Sequence, residues 1–359
     1  MTFRCMKATL GYLVAALTAC WLLLPALAVS SDVAVVRNSG DGVWVEVGSR
    51  RVEFKETMAI SAGEYKGEQR LGVVSGLAVD SNGSVYVLDR SNYRVWVYDN
   101  NAEFLFSFGE EGDGPGQFIA PSSIAIDDSD VIYVADKNEL DLFDVSGTYL
   151  TWYQPIECGP VTDIEFDSAG NIYLCCFQLF GQNMVHKYDR NGEHIGSFCE
   201  SYAKGEEIDV RIESTFAGGH IDIGQNDAVY YTQWLPYEIR MFDRDGVLLS
   251  RVHRHHPLMK SPDEYVRREG EGFRFSIPAI SSAIFVLSDL GILNCVSIPD
   301  ATGTIVSTLV DIFDTNGQLL ATASFDEPMF FNCKDKYDNL YAVNNADPKR
   351  VIRFRVAVN

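Results

Sequence analysis

Apolar positions from about residue 73 onward come in short alternating runs, and the stretch VYVLDRSNYRVWVYDNNAEFLFSFGEEGDGPGQF (85–118) shows the rule. Apolar residues alternate through VYV, VWVY and FLFSF, and Asp, Asn and Gly separate the runs. Period-two alternation predicts half-buried strands, because successive side chains leave opposite faces of the chain. No apolar set holds a 3.6-residue period through three turns, so a helical architecture is excluded.

The pattern recurs. A first anchor reads DSNGSVY at 80–86, DDSDVIY at 127–133 and DSAGNIY at 167–173, with weaker copies GQNDAVY at 224–230 and DKYDNLY at 335–341. A second anchor follows each of the first three: VYDNN at 97–101, LFDVSG at 142–147 and KYDRNG at 187–192; MFDRDG at 241–246 and IFDTNG at 312–317 continue it. Asp99, Asp144 and Asp189 are spaced by 45 and 45 residues; later spacings of 54 and 71 point to insertions. Each unit holds four strands separated by Asp/Asn/Gly turns that tolerate positive φ. Asp80, Asp127 and Asp167 are turn formers of this kind. Four-stranded units at this period predict blades packed radially around a channel.

Five complete units run from about 73 to 325, and the last, from about 328, ends at Asn359 without its fourth strand. RVEFKETMAIS (51–61) supplies it from the other end of the chain, which removes an open sheet edge. The expected fold is all-β: a six-bladed β-propeller of four-stranded blades, closed by an N-terminal strand, forming one domain over 29–359.

At this level of detail, YVLDRSNYRVWVYD followed by GDGPGQFIAPSSIAIDD resembles NHL-repeat proteins, particularly exported bacterial six-bladed propellers. The resemblance covers most of 50–200, weakens over 217–250 and 328–357, and is poor over 253–325. It implies the architecture. It leaves the activity open, because such propellers include ligand binders, scaffolds, lactonases and lyases.

Composition adds bounds. The chain has 359 residues and is 47% hydrophobic, enough for a large core. Its formal net charge of −21 is dispersed rather than carried by a run. Such a surface repels phosphate backbones and anionic headgroups, which argues against nucleic acid and membrane-surface partners. Residues 1–28 read as a signal peptide: Arg4 and Lys7, an apolar run, then Ala26-Leu27-Ala28 as cleavage site. Leu17-Thr18-Ala19-Cys20 resembles a lipid-attachment signal, but WLLLPALA rather than a polar tether follows. Ala8 to Val29 also has the length of an N-terminal membrane anchor. All three readings export the rest, to the periplasm, the cell surface or the medium.

Six cysteines remain beyond residue 28: Cys158, Cys175, Cys176, Cys199, Cys295 and Cys333. Cys158 precedes the strand VTDIEF, and Cys175 and Cys176 end the adjacent strand NIYLCC, so the hairpin turn brings both ends to one edge. A bridge from Cys158 to either is geometrically allowed in an oxidising compartment; buried free thiols are the other reading.

Connections from an outer strand to the next inner strand lie on one face, here called the top, with the loops between second and third strands. The long ones span 109–121, 199–219, 252–279 and 294–308. Chain of such length is ordered by contacts or by function. The 252–279 connection carries His253, His255, His256, Arg267, Arg268 and Phe273, which with Trp234 would form a cationic, aromatic rim suited to an anionic or sugar-like ligand. Asp89 and Asp136 end second strands and Arg94 begins a third, giving either ligand contacts or pairs between blades. Trp234 and Tyr237 are either exposed aromatics for ligand stacking or caps of the core. The histidines lack the carboxylates and second shell of a zinc site, so no metal is assigned to them.

No G-x-S-x-G, H-E-x-x-H or P-loop is present. GEEGDGPGQF precedes no helix and reads as a turn-rich connection. Two functions remain. The first is a monomeric binding or scaffolding module, without cofactor, for a small molecule, glycan or protein. The second, implied by the resemblance, is a calcium-dependent lactonase or lyase drawing oxygens from Glu165, Asn294, Asn332 and Asn344.

Overall fold

The structure, a computed structural model, describes residues 27–29, 35–37, 42–61, 63–65, 68–69, 71–155, 158–177, 183–201, 217–254, 258–259, 265–269, 272–275, 278–346 and 349–359. Of the expected signal segment 1–28, residues 1–26 lie outside them. No helix among the described residues is long and apolar enough to cross a membrane.

Six antiparallel sheets form a six-bladed propeller. The inner strands are Val74–Val79, Pro121–Ile126, Val161–Phe166, Gly219–Ile223, Ile280–Leu287 and Met329–Lys334. In the last blade Met329–Lys334, Leu340–Asn344 and Arg350–Val358 are completed by Arg50–Ser61, which pairs antiparallel with Arg350–Val358 from Arg350↔Ser61 to Val358↔Val52. The expected closure is therefore the observed one. Gly42–Val47 adds a fifth strand to this blade, and Leu27–Val29 and Val35–Arg37 lie parallel on the outer edges of the fourth and fifth blades. Apolar side chains between neighbouring blades make the core; Trp96, Tyr86, Tyr173 and Phe54 are among its largest buried members.

The turn aspartates do one job. Asp80 Oδ1 accepts the N–H groups of Asn82 and Ser84 at 2.9 and 2.8 Å, and the same pair of bonds recurs at Asp127 and Asp167 and in the outer turns at Asp99, Asp144 and Asp189. The fourth turn residue is left-handed, which suits glycine: Gly83 has φ +84°. Three inner turns carry Asp there instead, Asp130, Asp227 and Asp338, with φ near +60°. Each accepts two bonds from a serine of the preceding blade. Ser81 N and Oγ donate to Asp130 at 2.8 and 2.6 Å, Ser168 to Asp227 at 2.9 and 2.9 Å, and Ser288 to Asp338 at 2.9 and 2.6 Å. These bonds clamp the blades in pairs: first to second, third to fourth, fifth to sixth.

Cys158 and Cys176 form a disulfide with Cα atoms 5.8 Å apart; Cys175, Cys199 and Cys295 are buried free thiols and Cys333 a partly buried one. Of the two partners open to Cys158, Cys176 is the one at the strand end facing the entering connection. One expectation needs correction. Residues 294–308 are not a long connection: Gly291–Pro299 and Ile305–Phe313 extend as a hairpin closed by a further Asp turn at Asp300. Of the two readings of Tyr237 the core one holds: it is 4% accessible, its hydroxyl donating to Asp311 Oδ2 at 2.7 Å between the fourth and fifth blades.

Candidate functional site

Each inner strand runs from the top of the channel to the bottom. In five of the six the pairing with the second strand slips by one residue, and the residue left over is Ser75, Ser122, Thr162, Ser282 or Asn332. Such bulges re-aim a side chain. Three of these hydroxyls bridge to the next blade: Ser75 to Pro121 O at 3.3 Å, Ser122 to Val161 O at 2.9 Å and Thr162 to Gly219 O at 2.9 Å. The fourth blade has no bulge, and His220 follows Gly219 there.

These residues surround a channel cavity of roughly 370 Å³, whose walls include Ser75, Thr162, Ser282 and Asn332. Trp234, His220, Asp163 and Glu165 also line it. Trp234 follows the second strand Val229–Gln233 and so stands at the top. Its ring lies 6.5 Å from His220 and 6.0 Å from Phe177. Gly218 permits this position, since a Cβ there would sit 2.7 Å from the indole. His220 Nδ1 stands 3.5 Å from Asp163 Oδ2, and Asp163 also accepts the Ile221 N–H at 3.2 Å.

Deeper in the channel, Glu165 pairs across from Tyr173 and Asp222 across from Tyr230, which puts them at one level of adjacent blades. Lys334 reaches from the sixth blade to the Asp222 carboxylate and donates to Val286 O at 3.0 Å, crossing toward the fourth and fifth blades. Burial of Glu165 pushes its pKa well above the usual carboxylate range, and Asp222 and Asp163 add to that rise. Burial disfavours the Lys334 charge, but Asp222 and Glu165 outweigh it and hold its pKa above the ordinary lysine value. Lys334 is thus taken up by the Asp222 carboxylate, beside a Glu165 carboxyl that burial biases toward its neutral form, so the channel suits a neutral guest.

Of the described residues expected from sequence to form the binding rim, Trp234 lines this cavity. Asp89 is fully buried, and its Oδ2 accepts the N–H of Gly72 at 2.7 Å, Asn92 Nδ2 at 2.8 Å and Trp96 Nε1 at 3.2 Å. Asp136 accepts the N–H groups of Ile119 and Ala120 at 2.8 and 2.5 Å. Both aspartates fasten the connection entering their blade, the task the Cys158–Cys176 bridge performs in the third. Arg94 donates to Ser107 Oγ at 3.3 Å and packs 5.7 Å from the Trp96 ring centroid. His255 lies outside the described residues, as do the side chains of Arg267, Arg268 and Phe273. The backbones of those three belong to the hairpin Val266–Glu269 and Gly272–Phe275, where Arg268 pairs with Phe273.

Asp136 also belongs to a group with Glu139 and Asp141, whose carboxylate oxygens lie within 4.8 Å of one another. Of the calcium-ligand candidates, Glu165 and Asn332 line the channel cavity. Asn294 is buried and donates to Ser281 Oγ at 3.0 Å, while Asn344 donates to Glu327. The four do not assemble around the channel, and they do not fit a calcium set there.

His220, Asp163, Asp222 and Lys334 were missed in the sequence. A signal existed: in the aligned inner strands SGLAVD, SSIAID, TDIEFD and HIDIG, the small Ala78 and Ala125 give way to Glu165 and Asp222.

Comparison with known proteins agrees with this architecture. A family model described as "6-bladed beta-propeller" matches residues 68–223. A protein of Bacteroides fragilis NCTC 9343, described as a candidate exported protein, superposes with a TM-score of 0.59 at 13% identity, over 85% of this chain and 95% of that one. A duf4221-family member from Bacteroides vulgatus ATCC 8482 gives 0.57 at 13% identity, over 86% and 98%. A gluconolactonase from Xanthomonas campestris gives 0.51 at 14% identity, over 90% and 97%. At these identities the likeness is one of fold. The Drosophila melanogaster protein brain tumor is 23% identical over 128 residues, 34% of this chain; the match spans 12% of that protein's length.

Proposed function

We propose that this chain is an exported binding propeller that takes a small, neutral, polyhydroxylated ligand, such as a sugar, at the top of its channel. The observation that carries the reading is the channel cavity itself: an indole, Trp234, beside hydroxyl, amide and carboxyl groups on the inner strands. An aromatic face beside converging polar groups is the arrangement that binds a sugar ring, stacking on its apolar face and bonding its hydroxyls. Lys334 is already paired with Asp222, which leaves an anion little hold at this place. Binding is favoured over calcium-dependent hydrolysis because, of the four oxygen donors that would hold the ion, Glu165 and Asn332 line the channel cavity and Asn294 and Asn344 do not.

The test is calorimetric titration of the chain with a panel of neutral mono- and disaccharides, then with Trp234→Ala. A saturable ligand is expected, weakened in the variant by about 1–3 kcal/mol. A bound sugar whose affinity ignores Trp234→Ala would place the site elsewhere, and no saturable sugar in the panel would overturn the reading.

A further inference from the structure

The opposite face holds a second cavity of about 330 Å³, at the seam where the first blade meets the last. Lys336, Arg353 and Arg355 line it from the last blade, with Thr57 from the closing strand, and Asn82 and Asn100 from turns of the first. In a chain with 50 acidic and 29 basic side chains, cations should find carboxylates easily. These three do not. Lys336 Nζ donates to Ser81 O at 2.9 Å and stands 5.4 Å from the Tyr337 ring centroid. Arg353 Nε donates to Thr57 Oγ1 at 3.0 Å, and its guanidinium also meets the Tyr341 hydroxyl. Arg355 is exposed, and its side chain has no hydrogen-bond or ion-pair partner among the described residues. Lys55 stands opposite it in register and adds a further cation to the same edge.

Two acids share the cavity wall, but their oxygens are engaged in turns. Asp335 accepts the N–H groups of Tyr337 and Asn339, Asn339 Nδ2 and the Tyr341 hydroxyl. Asp80 accepts Asn82 N, Ser84 N and, at 3.4 Å, the Tyr86 hydroxyl. The space left over is therefore framed by three cations against two carboxylates whose oxygens are already taken up in the turns. Two guanidinium groups and an ammonium around a polar pocket match an oxyanion, because planar N–H forks bind carboxylate or sulfate oxygens in pairs. The volume lies within the range of small-ligand sites, about 300–1,000 Å³. Asn82, Asn100 and Thr57 are placed to meet hydroxyls.

We propose that this seam pocket binds a monosaccharide-sized ligand through a carboxylate or sulfate group held by Arg353, Arg355 and Lys336. The guest would touch both the first blade and the last, so binding would also fasten the ring at its closure. The proposal is independent of the channel reading, which concerns a neutral ligand on the other face.

The experiment is titration of the full chain with sodium D-glucuronate and, separately, with glucose 6-sulfate, at ionic strength held constant with sodium chloride. Saturable binding of at least one is expected, with a rise in melting temperature; the tighter of the two identifies the oxyanion. Arg355→Ala and Lys336→Ala should each weaken it by about tenfold or more while melting like the parent without ligand. Trp234→Ala should leave it unchanged. Failure of both probes to bind saturably at millimolar concentration would overturn the proposal, as would binding that survives the Arg355→Ala/Lys336→Ala double substitution.

Discussion

Asp141 sits in the third strand of the second blade, 4% accessible, beside Glu139 and Asp136. Burial first, then the charges of Glu139 and Asp136, push its pKa from 3.8 to about 7. A carboxyl raised in the folded state favours folding while protonated, so its contribution is full below the unfolded value and is lost as pH rises through about 7. Asp141→Asn should therefore raise the melting temperature at pH 8, by the equivalent of about 2–4 kcal/mol, with the advantage shrinking toward pH 4. Melting curves of both proteins across that range check it, and an advantage independent of pH would contradict it. Individual residues also show why site prediction was harder than fold prediction. Asp89 and Asp136 were visible as polar residues at strand ends, but whether their oxygens faced a ligand or the chain's own N–H groups depended on connections folding back over them.

At the level of elements, the turns carry the repeat and also its exceptions. DSNG, DDSD and DSAG were legible as turns of one repeat, while GQND and DKYD were its weaker copies. In the folded ring Asp130, Asp227 and Asp338 are the acceptors that clamp neighbouring blades, and their left-handed backbone is held by those bonds. Ala102 occupies the equivalent place in an outer turn, with φ +70°. The two kinds of exception should respond oppositely to glycine. Ala102→Gly is expected to be neutral or stabilising by up to about 1 kcal/mol, since it relieves a left-handed alanine. Asp130→Gly relieves the same backbone but removes two charge-assisted bonds, and should destabilise by about 1–2 kcal/mol. Denaturant midpoints that shift in the same direction for both would show that the clamp contributes nothing.

On the scale of the whole molecule, the ring is held shut by a strand from the far end of the chain. Removing residues 29–62 deletes Arg50–Ser61 and leaves Arg350–Val358 with an unpaired edge. Exposed edges of that length recruit other strands. The truncated protein is expected to aggregate or to lose its cooperative melt, read by size-exclusion chromatography and calorimetry; a soluble monomer melting like the parent would refute the role given to this strand.

The four-stranded repeat, its turn chemistry and its closure were determined by the sequence alone, because each depends on local alternation or on a repeat that can be counted; the added strand Gly42–Val47 and the hairpin over 291–313 were not. The tertiary structure alone decided which polar groups meet. Lys334 finds Asp222 across 112 residues of chain, and Lys336 finds Ser81 across 255, only because radial packing brings inner strands and end blades together. The choice of Cys176 over Cys175 likewise follows from which side of a strand end the entering connection passes. Local patterning fixes the face from which a side chain leaves its strand; ring closure fixes what stands opposite it, and both cavities are made of such meetings.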